Sequence, residues 1–295
     1  MPYAPPYYTP YDGTATPFTI GLKPLPESRW LEPQPDLQPL LQERHRLLSG
    51  KRDAVLHCQR ESLTACQELL DLVLENLSTH HRDHYQIKAG MIAITGIPDN
   101  IAINREDPLA SLGIIVPEDF CLIRKTDTGH KLVAALLCFP SSWALADKIG
   151  RNLEAIHKPV PDYQGPMSDR VNLLFDRLRP EQIVWRMNWS LDDGKRLFRP
   201  TPHSHDQWLA QGGDPLDHVF IRVERQTLRR LPIAGDIVFT IRIHLSPLRH
   251  LADGQNRQAL QGLHQQLSAM SAEQCAYKGL SQARPVILQR LEDFL

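Results

Sequence analysis

The side chain best placed for metal or redox chemistry in this chain is His157. Leu145, Ile149, Leu153 and His157 recur at four-residue intervals, so a helix starting near Trp143 would present all four on one inward stripe. Ser141 or Ser142 can cap that helix, and Pro159 and Pro161 stop it just behind the imidazole. Two readings of His157 follow. As a C-terminal helical residue, it bonds the last carbonyls and favours the negative end of the helix dipole. As an imidazole on a buried stripe backed by a Pro-x-Pro turn, it is an axial donor to a metal or a haem iron. Spacing alone does not choose between them.

The second chemical group lies on a strand expected over His218–Leu228. Val219, Ile221 and Val223 share a face whose next member is Arg225, while Arg222, Glu224 and Gln226 occupy the opposite face. A guanidinium entering an apolar row either is paired or faces a polar pocket, or else a bulge at the strand end turns it outward. Other histidines carry weaker signals. Thr79–His84 holds three in a polar linker, which reads as a solvated loop, and His203 and His205 sit in a Pro- and Gly-flanked loop. The five cysteines include no CxxC pair, and an odd number argues against a disulfide framework and for a reducing, cytoplasmic setting.

The elements that must position these groups are legible as patterns. Residues 1–39 are crowded with proline and read as an extended arm wrapping the surface, pinned by Trp30 and Leu31. A short helix is expected over Leu40–Leu48 and one long helix over Asp53–Leu77, with Leu56, Leu63, Leu70, Leu74 and Leu77 near one face. Met91–Ile103, broken by Gly96 and Pro98, reads as irregular or a short strand. Asp119–Lys125 and Lys131–Phe139 read as an antiparallel pair joined at Asp127-Thr128-Gly129. In Ile183–Leu191, Ile183, Trp185, Met187, Trp189 and Leu191 alternate with Arg186, Asn188 and Ser190, a strong period-two signal. A last strand is expected over Asp236–Leu245, and two or three amphipathic helices over 255–295. The order helices, two strands, helix, three strands, helices implies an α+β fold with an antiparallel sheet. The expected division is an arm over 1–39, a central domain over 40–250, and C-terminal helices over 251–295 packed on that domain.

Composition removes other function classes. An apolar fraction of 42% is ample for a core, and a formal net charge of −1 gives no electrostatic case for nucleic acid or an anionic membrane. No run of eighteen apolar residues occurs, so no membrane span is expected. There is no GxGxxG, GxxxxGK[ST], HExxH or GxSxG motif.

Several longer blocks are similar to one family. They are Leu137-Cys138-Phe139-Pro140-Ser141-Ser142-Trp143, Lys148-Ile149-Gly150 and Ile156-His157-Lys158-Pro159-Val160-Pro161. Asn188-Trp189, Arg222 to Pro232, Phe239-Thr240-Ile241-Arg242, Gly21 to Leu25 and Trp30-Leu31 extend the likeness over roughly residues 17–245. Together they resemble the haem-dependent oxidative N-demethylases in their α subunit.

The resemblance implies a PAS-like domain, a curved antiparallel sheet holding haem b against helices, with His157 as proximal iron ligand. Cys138 is the rival ligand, since a thiolate promotes O–O cleavage, and His130, His203 and His205 are further alternatives. It also implies an enzyme that oxidises a small alkylamine with O2 through an iminium to an aldehyde. FMN, an iron–sulfur cluster, tetrahydrofolate and NADPH belong to flavin/iron–sulfur reductase and folate-binding partner subunits.

Motif position and strand alternation then suggest roles. Arg225 or Arg222 would stabilise negative charge on oxygen, and Glu224 would pair with the ammonium or take its proton. Trp185 and Trp189 would wall the pocket together with Phe139. The competing readings are a structural Arg–Glu ladder for these strands and a haem-based gas or redox sensor for the whole protein.

Overall fold

The computed structural model describes residues 8–14, 19–34, 36–161, 163–202, 204–252 and 256–295. Within them run the strands β1 (Lys23–Leu25), β2 (Leu56–Cys58), β3 (Tyr85–Lys88), β4 (Met91–Ile94), β5 (Ile101–Ala102), β6 (Asp119–Thr126), β7 (Gly129–Leu136), β8 (Ile183–Asp193), β9 (Val219–Arg230) and β10 (Ile237–Pro247). Seven form one antiparallel sheet in the order β1-β8-β9-β10-β6-β7-β2, and β3-β4-β5 form a small second sheet. The small sheet resolves the Met91–Ile103 stretch, which sequence left between irregular chain and strand. The β9–β10 hairpin closes through Leu231 N–H donating to the Asp236 carbonyl at 2.8 Å. The β6–β7 turn closes at Gly129, whose φ of +98° suits glycine.

Helices pack around the large sheet: α1 (Leu37–Gly50), α2 (Arg52–Val55), α3 (Leu63–His80), α4 (Pro108–Gly113), α5 (Leu153–His157), α6 (Pro166–Arg177), α7 (Asp206–Ala210), α8 (Pro215–His218), α9 (Arg249–Ala252), α10 (Arg257–Ala269), α11 (Ala272–Tyr277) and α12 (Ala283–Glu292). The mixture of helices with a large antiparallel sheet is the α+β class. One apolar cluster joins α1, α3, β6 and β7, and a second joins β8 and β9 to α10 and α12 through Trp189, Leu191, Val219, Leu260 and Ile287. Among the described residues no helix is long and apolar enough to cross a membrane.

Four expectations are corrected. The helix expected over Asp53–Leu77 is interrupted: Leu56–Cys58 pairs with Ala134–Leu136 of β7, and the long helix starts only at Leu63. Strand pairing satisfies those backbone groups as a helix would. The strand expected to reach Phe139 ends at Leu136, because the buried Asp119 carboxylate accepts the N–H groups of Cys138 and Phe139, each at 2.8 Å.

The third correction concerns the helix expected from Trp143 to His157. It is a 3-10 turn at Leu145–Asp147, a break, and the five-residue α5. Gly150 at φ +76° ends the first piece, and Lys131–Asn152 forms an isolated bridge to β7. Asn152 then caps α5 by accepting the Ala155 N–H at 2.9 Å. A short helix, α7, also lies in the stretch expected to be loop.

Candidate functional site

Strand register gives the face that matters. Arg186, Asn188 and Ser190 of β8 stand opposite Gln226, Glu224 and Arg222 of β9. Across β10, Ile241 and Phe239 stand opposite Gln226 and Leu228. Opposed residues share a face, and this face lines a cavity of about 890 Å³. Ile156, His157, Pro161 and Tyr163 line it from α5 and the turn behind, and Val171, Leu174 and Phe175 from α6. Because β1 pairs only with Ile183–Trp185, both faces of β8 beyond that point reach the cavity, and every residue from Trp185 to Ser190 lines it. The volume is at the upper end of the ~300–1,000 Å³ of cofactor sites.

His157 is half-buried in this wall. Its Nδ1 lies 2.8 Å from the Leu153 carbonyl. A carbonyl only accepts, so Nδ1 carries the proton and Nε2 keeps the lone pair, the arrangement that second-shell bonds impose on metal-binding histidines. The ring stacks on Tyr163 with centroids 4.3 Å apart at 18°. Burial, helped by the Lys148 and Arg186 cations, pushes its pKa down to about 4, so the imidazole is neutral at pH 7. Thus both bland features, the bond to the last turn's carbonyl and the buried position, belong to the same ring that offers a free donor nitrogen.

The cavity charges are arranged around Glu224. Its Oε2 accepts from Gln226 Nε2 at 2.9 Å, and Arg222 Nε stands 3.9 Å from Oε1. Glu224 in turn is felt by three cavity cations, Lys148, Arg186 and Lys278, each with its pKa lowered by burial, Lys278 to about 8. Lys148 lies over the Trp143 ring at 4.2 Å, and Arg186 donates to the Thr19 carbonyl at 2.8 Å. Neither makes an ion pair within 4.0 Å among the described residues. The Tyr163 hydroxyl is buried without a hydrogen-bond partner there, and burial raises its pKa to about 12.

The expected site residues divide by position. His157, Trp185, Trp189, Phe139 and Glu224 line the cavity. Trp189 Nε1 donates to Gln266 Oε1 at 3.0 Å, and Lys278 Nζ donates to the Trp189 carbonyl at 2.5 Å. Arg222 is fully buried beneath the wall and donates through Nη2 to the Phe139 carbonyl at 2.6 Å. Arg225, expected on the oxygen side, is not among the residues that line the cavity. It shares the opposite face with Met187 and Arg242, donates to the Arg29 and Trp30 carbonyls, and stands 3.8 Å from Glu32 Oε2. No bulge interrupts the β8–β9 or β9–β10 register, so alternation alone carries Arg225 to that side.

The rival ligands stand elsewhere. Cys138 is fully buried and outside the cavity lining, and burial pushes its thiol up to about 12. His130 Nδ1 contacts Asn172 Oδ1 at 3.1 Å. His205 uses both ring nitrogens, on the Leu191 carbonyl at 3.1 Å and the Trp208 indole at 3.0 Å. His203 lies outside the described residues. No group of three His, Cys, Asp or Glu able to hold a bare metal ion occurs among the described residues, including the 79–84 stretch. Lys148, Arg186, Lys278 and Tyr163 were missed as site residues. Arg186 had a signal, its place on the polar face of β8, whereas Lys278 lies 54 residues further along the chain than Glu224 with no local pattern to mark it.

These groups fit a haem. A lone-pair imidazole, a largely apolar cavity and the two cations Lys148 and Arg186, which make no ion pair within 4.0 Å among the described residues, match its iron, its ring and its two propionates. The model of a family described as haem-dependent oxidative N-demethylase, alpha subunit-like, matches residues 21–288. The chain belongs to that family.

Proposed function

We propose that this member of the haem-dependent oxidative N-demethylase family binds haem b in a PAS-like domain and demethylates a small alkylamine oxidatively. The carrying observation is the neutral His157 imidazole, its Nδ1 fixed on Leu153 O, in the wall of the large cavity. His157 Nε2 would take the iron, and Lys148 and Arg186 would meet the propionates. Bound haem supplies O2 binding and electron transfer.

Glu224 holds the cationic amine and receives its proton. Trp185 and Trp189 wall the amine site and exclude bulk water. Arg222 is a positioning residue that holds the Phe139 carbonyl and the strand under Glu224. In the reaction the N-methyl carbon gives up two electrons and a proton, and a C=N bond forms. Water then adds to that carbon, and cleavage of C–N releases the aldehyde and the shortened amine. O2 accepts those two electrons and two more from partner subunits, becoming water. FMN, an iron–sulfur cluster, NADPH and tetrahydrofolate belong to those subunits.

Glu224→Gln tests the assignment. Aldehyde release from dimethylamine should fall about 10²–10⁴-fold while the haem spectrum is kept. Unchanged turnover would remove Glu224 from the role. A parent protein that binds carbon monoxide, accepts electrons and releases no aldehyde from any small methylamine would instead be a gas or redox sensor.

A further inference from the structure

Away from the cavity, two sulfurs meet. Cys58 ends β2 and is half-buried, whereas Cys66 lies in α3 and is fully buried. Their Sγ atoms are 3.5 Å apart. Cys58 also lines a separate pocket of about 250 Å³ with Arg52, His57, Glu106 and Asp107. We infer that Cys58 and Cys66 are a redox-reactive thiol pair, with Cys58 the site oxidised by a hydroperoxide and Cys66 the thiol that resolves it.

The division of labour follows from the surroundings. Cys58 is reached from a pocket wide enough for a small oxidant, whereas Cys66 is fully buried and does not line that pocket. The contact with the Cys66 sulfur, together with the Arg124 guanidinium, draws the Cys58 thiol below its usual range against burial and Asp107. The same contact and burial push Cys66 well above its usual range. Asp107 is itself held by Arg52 at 2.6 Å. Joining the sulfurs needs an approach of only about 1.5 Å to reach bond length.

The chemistry balances. The Cys58 thiolate attacks the O–O bond of hydrogen peroxide; S–O forms, O–O breaks, and hydroxide leaves and takes up a proton. The Cys66 sulfur then attacks the Cys58 sulfenic acid; S–S forms and the S–O oxygen leaves as water with the Cys66 proton. Two electrons pass from the two sulfurs to the peroxide. The bridge would tie β2 to α3. β2 pairs with β7, which carries Leu132 of the cavity wall.

The test treats the full chain with hydrogen peroxide and maps the thiols by mass spectrometry. Two of the five free thiols should be lost, with a mass loss of two hydrogens located to a Cys58–Cys66 link and reversed by dithiothreitol. Cys66→Ser should leave a dimedone-trappable sulfenic acid at Cys58. Cys121, which lines the main cavity but has a thiol raised to about 12 by burial, should stay reduced. Oxidation of Cys121, Cys138 or Cys275 ahead of Cys58, or Cys58 and Cys66 both remaining free, would overturn the inference. Neither readout depends on haem or amine turnover.

Discussion

His157 shows how much a single side chain carries. Its ordinary pKa is 6.5, and burial in the folded chain lowers it to about 4. Between those values the unfolded chain binds the proton and the folded chain does not, so haem-free protein loses stability as pH falls from 6.5 toward 4. The loss attributable to this ring is at most about 3 kcal/mol, and smaller to the extent that water in the cavity screens the charge. Urea unfolding at pH 7 and pH 5 should show a steeper loss for the parent than for His157→Ala. Equal losses would mean that the ring is already solvated.

A second residue-scale prediction concerns Arg44, which is fully buried and donates to the carbonyls of Gly113, Pro117 and Glu118 and to Asp119 Oδ1 at 2.6 Å. Asp119 also holds the Cys138 and Phe139 N–H groups. Asp119→Asn strands the Arg44 charge and should cost roughly 3–5 kcal/mol in chemical denaturation. In sequence, Arg44 was only one polar residue among leucines. Its pairing joins residues 75 apart, and no local pattern reports that.

At the scale of elements, strand alternation was the most legible feature. It grouped Arg222, Glu224 and Gln226 on one face and Arg225 on the other, and the register keeps that grouping. What alternation could not give was which face meets the cavity, because this depends on α5 and α6 covering one side and on Arg29, Trp30 and Glu32 meeting Arg225 on the other. The helix carrying His157 shows the opposite failure. Its four-residue stripe was genuine in spacing, but Gly150 and Asn152 broke it, and α5 keeps only the last two stripe members.

The N-terminal residues 8–14 give a further test. A Cβ on Gly262 of α10 would lie 2.4 Å from the Tyr11 carbonyl oxygen and Asp12 backbone carbon, so this glycine is where Tyr11 and Asp12 seat. Gly262→Ala should lift residues 8–14, cost about 1–3 kcal/mol, and raise amide exchange there. Since Tyr8, Pro10 and Asp12 line the cavity, the same variant should open it to solvent. Unchanged exchange in that segment would show that the helix shifts instead.

For the whole molecule, the cavity unites residues from Tyr8 to Lys278, so it was invisible to any window of sequence. The family was nonetheless legible, because its motifs are long blocks such as Ile156 to Pro161 and Arg222 to Pro232. Electron entry through partner subunits, as proposed above, has its own test. Purified alone, the chain should be reduced by dithionite and not by NADPH; reduction by NADPH alone would contradict that division.

The most direct test of the central claim is an absorption spectrum of the haem-reconstituted parent and of His157→Ala, ferric and dithionite-reduced, with and without carbon monoxide. A Soret band that shifts with carbon monoxide in the parent and is lost or altered in the variant is the predicted result. An identical spectrum in the variant would place the iron on another ligand, and no Soret band in the parent would contradict the haem site itself.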